Sequence, residues 1–157
     1  MGINVARANR DDAADVAVMV GELLGEIMSA IGEQTFNFSL AETIARLNEF
    51  ISGGVYVVFM ARTDEGYPVG FVSLCESHAL YAEGAFGVIP ELYVRPQYRS
   101  CKVGFNLIEQ AKGFGRKCGW KRMEVTTPPL PWFDKTLAFY HREGFAIAGG
   151  RKLKVVL

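Results

Sequence analysis

The chain has 157 residues, half of them hydrophobic and 22% charged, with 17 Lys and Arg balancing 17 Asp and Glu. That length fits one domain with a sizeable core, and the apolar content excludes disorder as the dominant state. The balanced charge offers no basic tract for nucleic acid or a membrane surface, and no run approaches the roughly 18 apolar residues of a membrane span.

Met1 to Asp12 reaches Arg7 and Asp11-Asp12 too early for the basic-then-apolar order of a signal peptide. Cys75, Cys101 and Cys118 form no Cys-x-x-Cys pair, which points to reduced thiols in a cytoplasmic protein rather than a disulfide frame or a zinc site. Ile3 to Ala8 reads as a first strand, and Asn9 to Asp12 supplies capping chemistry for a helix. Val16, Met19, Val20, Leu23, Leu24, Ile27 and Met28 recur at helical spacing, so the helix is expected over Asp11 to Ala30. Ser39 followed by Glu42 matches a capping box for a second helix that Gly53-Gly54 ends.

Val55 to Ala61 is rich in β-branched and aromatic residues and is expected to be a strand. Asp64-Glu65-Gly66 turns it into a partner strand, Val69 to Cys75. Ala85 to Val94 is the next strand. Pro90 inside it cannot donate to a ladder, so a bulge or an edge belongs there. Val103 to Lys117 has a helical apolar face, Lys121 to Thr127 alternates as a strand, and Phe133 to Arg142 reads as a last helix. Phe145 to Leu157 is expected to close as a hairpin broken by Gly149-Gly150. No repeat, low-complexity tract or linker divides the chain, so residues 1–157 are expected to form a single mixed α/β domain.

Two motifs in register carry a resemblance. Glu91-Leu-Tyr-Val-Arg-Pro-Gln-Tyr-Arg-Ser-Cys-Lys-Val-Gly104, opening a helix, resembles the acyl-CoA-binding core of the GNAT superfamily of N-acetyltransferases. Phe139-Tyr140-His-Arg-Glu-Gly144-Phe145 is similar to that family's Phe-Tyr-x-x-x-Gly-Phe ending of the last helix, and Pro-Val-Gly70-Phe agrees with its second hairpin strand. The resemblance implies an α/β (α+β) domain with a central mixed, mostly antiparallel sheet of six to seven strands and about four helices. It also implies acetyl-CoA as co-substrate with no metal, and direct transfer to an amine of a small molecule or a protein. A non-catalytic module of the same fold, binding CoA or a protein partner, is the alternative. Homodimers are common in the family, and no residue here specifies one.

By the same resemblance, the backbone of Leu92, Tyr93 and Val94 pairs with the pantetheine arm. Arg99, Ser100, Cys101, Lys102, Val103 and Gly104 hold the pyrophosphate, as N–H groups at a helix start and the helix dipole suit an anion. Lys102 stands where the family usually has glycine; it either crowds the pyrophosphate or points outward and lends its ammonium. Phe133 stands where an asparagine often contacts CoA.

Because relatives in this family commonly place a tyrosine hydroxyl near the thioester sulfur, the resemblance implies Tyr140 as the acid for the departing thiolate, and a phenol is protonated at neutral pH. Its other reading is an anchor of the last helix in the core. Glu91 sits where many relatives carry an acidic residue, so the resemblance makes it the candidate base, direct or through water; its other reading is an exposed strand carboxylate. By the resemblance, the amide of Tyr93 or Val94 is the candidate oxyanion donor. Cys101 at a helix start invites a covalent mechanism, but no histidine lies near it in sequence, and a loop thiol is preferred. His78 and His141 are isolated, which leaves no metal-ligand spacing. Relatives form the acceptor pocket from the first two helices, their connection, the loop near the catalytic strand and the C-terminal hairpin, so the resemblance makes Glu26, Phe36, Phe38, Tyr81 and Trp132 candidate wall residues; Glu22, Glu26 and Glu33 form either an acidic wall or a solvated helix face.

Overall fold

The computed structural model describes residues Gly2 to Leu157, which fall into two compact units, residues 1–126 and 127–157. In the first, β1 (Ile3–Arg7) leads through a 3-10 turn at Arg10–Asp12 into α1 (Ala13–Ile31). Asn9 caps this start by accepting from the Asp11 N–H, while Asp12 accepts from the Asn9 N–H. α2 (Leu40–Ser52) follows. Only half of its expected capping box forms: Ser39 accepts from the Glu42 N–H, whereas the Glu42 carboxylate turns to Arg46, 3.8 Å away.

β2 (Val57–Thr63) and β3 (Pro68–Ala79) form the expected hairpin, with β3 running four residues further than the sequence indicated. β4 (Gly84–Ile89), β5 (Leu92–Val94), α3 (Val103–Lys117) and β6 (Met123–Val125) complete the unit. The sheet runs β1-β2-β3-β4-β6, with β5 also paired to β3. All pairs are antiparallel except β4 with β6. No helix is long and apolar enough to cross a membrane among the described residues.

Strand alternation divides the core between two faces. Val58, Met60, Phe71 and Tyr93 meet Val16 and Met19 of α1 and Leu47 of α2 on one face. Phe59 turns to the other, against Phe114 of α3, whose buried stripe is Val103, Leu107, Ile108 and Ala111. Gly70 explains the Pro-Val-Gly-Phe signature by packing. A Cβ there would stand 2.8 Å from the Tyr93 carbonyl oxygen and 3.4 Å from Leu107, so only glycine lets β5 and α3 approach β3 this closely.

The second unit contains α4 (Asp134–Arg142). The closing hairpin expected over Phe145 to Leu157 is not formed: those residues adopt no strand. Gly149 and Gly150 take φ of +77° and +69°, which breaks the extended run. Arg151, Lys152 and Lys154 crowd like charge, and Ile147, Leu153, Val155 and Val156 lie exposed. The sheet therefore has six strands among the described residues, the lower end of the expected range.

Candidate active site

The expected strand over residues 85–94 is split at Pro90. Cys75 pairs with Val88 and Val72 with Leu92, so two β3 residues face three of the other strand, a one-residue bulge. Beyond Ile89, which pairs with Val125, the β4–β6 ladder ends, and β5 pairs only with β3 among the described residues.

Glu91 sits at the bulge, opposite Ser73, whose N–H donates to the Glu91 carbonyl at 2.9 Å. The Ser73 hydroxyl donates to Oε1 of Glu91 at 2.5 Å and the Tyr56 hydroxyl to Oε2 at 3.3 Å. Burial raises the Glu91 carboxyl above the usual glutamate range, and these two hydrogen bonds oppose the rise without cancelling it. The reading as an exposed strand carboxylate is thus excluded. Tyr56 is pushed up by burial and by the Glu91 charge, so it keeps its proton. Cys75 is also raised, first by burial and then by Glu91.

Glu91, Ser73 and Tyr56 form the floor of a cavity of about 170 Å³. Val16, Val20 and Leu24, spaced four apart on α1, make one wall, and Leu47 and Phe50 of α2 make another. Phe38 closes it from the connection between the helices, while Asn37, Thr43 and Arg46 supply its remaining polar lining. Of the five acceptor-wall candidates, only Phe38 lines this cavity. Phe36 is exposed elsewhere on the connection, Tyr81 packs on Phe86 and under Arg122, Trp132 is exposed in the second unit, and Glu26 binds Arg99.

Glu22 and Glu26 of α1 have arginine partners instead. Glu22 receives Nε and Nη2 of Arg95 at 3.0 and 2.9 Å and the Tyr93 hydroxyl at 3.3 Å. Glu26 receives Nη2 of Arg99 at 2.8 Å. These carboxylates tether the segment after β5 to α1, and neither lines the cavity. Burial and the two glutamates push the Tyr93 phenol up to about 12.

On the other side of Glu91, backbone polarity decides what the strand offers. Arg95 donates to Val69 and Ser73 to Glu91, so the alternation turns the N–H and C=O of Tyr93 toward β3. Tyr93 is thereby removed as an oxyanion donor. Leu92 and the N–H of Val94 face the open edge, while the Val94 carbonyl accepts from Arg99 Nε at 2.8 Å.

At the start of α3, the N–H groups of residues 100–105 meet no protein acceptor among the described residues. Ser100 and Lys102 take φ of +65° and +64°, the left-handed region that glycine enters without cost. The family's glycine at the Lys102 position therefore has a backbone reason, and the lysine is exposed. Arg99 spends its guanidinium on Val94 and Glu26, which leaves the backbone N–H groups and the Lys102 ammonium as donors of the loop. Cys101 is exposed, with its thiol 3.6 Å from the Arg99 carbonyl oxygen. The unpaired N–H groups and the open β5 edge fit a phosphorylated, extended ligand such as CoA.

In the second unit Tyr140 is buried between Phe139 and Phe145, with both ring centroids 5.4 Å away. Burial raises its phenol, which holds the proton firmly. Phe133 precedes α4 and caps it with no side-chain hydrogen bond.

A split sheet strand with a desolvated carboxylate on one side and a donor-rich helix start at its end defines an acyltransferase-like architecture. The chain belongs to the acetyltransferase (GNAT) family, whose model matches residues 24–145. No curated protein matches it in sequence. Among solved structures it is similar to an aminoglycoside acetyltransferase from an uncultured soil metagenomic sample, at 18% identity and TM-score 0.77, covering 99% of this chain and 96% of that one. Glucosamine-6-phosphate N-acetyltransferase from Arabidopsis thaliana aligns at 15% identity and TM-score 0.75, covering 99% of both chains. Ribosomal-protein-alanine N-acetyltransferase from Brucella melitensis does so at 16% and 0.73, with 99% of each covered. At these identities the likeness is one of fold.

Proposed function

We propose that the chain is an N-acetyltransferase that uses acetyl-CoA and transfers by direct attack of an amine in a ternary complex. The observation that carries this is the bulge at Pro90, which gives one strand a desolvated carboxylate beside a cavity and an open backbone edge just beyond it. Acetyl-CoA supplies the acetyl group as a thioester. The Leu92 and Val94 edge pairs with its extended arm, and the N–H groups of residues 100–105 receive the pyrophosphate.

Glu91 accepts the proton of the attacking amine, directly or through one water; its raised pKa makes it a stronger base than an ordinary glutamate. The Val94 N–H donates to the thioester oxygen as negative charge grows there. The departing thiolate takes a proton from solvent, and solvent returns Glu91 to its ionised state.

The test is a thermal-shift titration with CoA and acetyl-CoA against ATP and NAD. A hundredfold excess over Kd adds about 2.7 kcal/mol, hence a Tm rise of roughly 5–10 °C for a chain of this size. A selective rise is expected. No rise at millimolar CoA overturns the reading and leaves a binding module without CoA.

A further inference from the structure

The cavity above Glu91 specifies more than an amine. Resting on the acetyltransferase reading, we propose that the acceptor is a primary amine with one cationic centre and an apolar substituent about the size of an aromatic ring. A 2-arylethylamine or a branched alkylamine has this form; a polyamine or an amino sugar does not.

Three independent observations converge on that class. The first is size and lining. About 170 Å³, half open to solvent, has Val16, Val20, Leu24, Leu47, Phe50 and Phe38 as its apolar walls, and an apolar cavity of about 150 Å³ suffices to hold benzene. The second is the floor. Ser73 and Tyr56 both spend their hydroxyl protons on Glu91, so what remains there is acceptor capacity, suited to an N–H group and not to a carbonyl or a phosphate. The third is charge. Arg46 and Glu91 are the charged side chains lining the cavity, and they stand on different elements, α2 and the strand bulge. A second cation on the acceptor would therefore meet a guanidinium that Glu42 balances only at 3.8 Å. The glutamates of α1 offer no relief, since Arg95 and Arg99 occupy Glu22 and Glu26.

Phe38 is the residue that sets the apolar end. Its ring lies over Gly21 of α1, where a Cβ would stand 2.7 Å from it. The missing side chain at Gly21 is what allows the ring to close this side of the cavity.

The experiment measures thiol release from acetyl-CoA with 2-phenylethylamine, 3-methylbutylamine, ethylamine, spermidine and kanamycin. The expected kcat/KM for the first two is at least tenfold above the other three, because buried apolar contacts discriminate by such factors. Phe38→Ala is expected to reduce the ratio of 2-phenylethylamine to ethylamine about tenfold without changing CoA affinity. Arg46→Glu is expected to raise spermidine relative to 2-phenylethylamine at low salt. Ethylamine, spermidine or kanamycin equalling the apolar amines overturns the inference and leaves the acetyltransferase reading standing.

If CoA binds but no amine releases thiol, calorimetry of 2-phenylethylamine with the CoA-loaded protein decides. Submillimolar binding weakened tenfold in Phe38→Ala supports the site, and no binding overturns it. If CoA itself fails to bind, the acetyltransferase reading falls, and the same titration of the free protein decides the cavity's ligand separately.

Discussion

Glu91 is one carboxylate held in two opposed ways: burial raises it, while Ser73 and Tyr56 stabilise its ionised form. Because the folded pKa lies above the unfolded one, its contribution to stability falls as pH climbs from the ordinary glutamate range through the higher folded value, and the penalty is complete above it. Glu91→Gln should flatten that part of the stability–pH curve and leave the protein at least as stable at pH 8, as denaturant melts at several pH values would show. As the proposed base, Glu91 must be ionised, so the acid limb of kcat/KM should lie above about 4.3, the unperturbed glutamate value. The same variant should lower kcat about 100- to 1000-fold; full turnover would remove Glu91 from the chemistry. Lys102 carries a backbone cost instead. A left-handed non-glycine residue is disfavoured by about 1–2 kcal/mol, and glycine's extra chain freedom returns about 0.5–1 kcal/mol of that. Lys102→Gly should therefore stabilise by about 0.5–1 kcal/mol in chemical denaturation, and a concurrent large gain in CoA affinity would show that the lysine side chain also obstructs the loop.

Elements were legible in the sequence wherever their signals were local. The apolar spacing of Val103 to Lys117 set α3 to the residue, and the missing N–H of Pro90 marked the bulge. What joins elements was not legible. Ser73 and Tyr56 meet Glu91 from 18 and 35 positions away, and Glu22 and Glu26 find arginines 73 positions distant. Nothing in the helical spacing of those glutamates separates a tether from an acidic wall. Gly70 shows how a motif residue acts at this scale. Gly70→Ala should press β5 away from β3 and destabilise by about 1–3 kcal/mol, with the Tyr93 and Arg95 amides, which donate to β3, exchanging faster; unchanged exchange would mean that the Tyr93 carbonyl yields without moving its strand.

At the scale of the whole molecule, the family resemblance supplied the mostly antiparallel sheet, its strand number and the helix count that composition alone left open, while the strand order came only with the structure. The missing closing hairpin is the main departure. Strand formation needs a partner edge as well as alternation, and residues 146–157 make no backbone hydrogen bond among the described residues. Trypsin should accordingly cut after Arg151, Lys152 or Lys154 before any site within the sheet or α3, because exposed unpaired backbone opens at almost no cost. Resistance of that segment, read by mass spectrometry, would reveal a strand partner for it in solution.

The extra residue at Pro90 separates two properties that share a strand. With Cys75 opposite Val88 and Val72 opposite Leu92, removing one residue between them restores continuous pairing yet leaves the glutamate across from Ser73. A single-codon deletion would thus heal the sheet, let the ladder to β6 run on past residue 89, and seal the edge proposed for the thioester arm. The product should still bind an amine and should no longer respond to CoA in a melt. One codon then governs whether this scaffold is a transferase or only a receptor for amines.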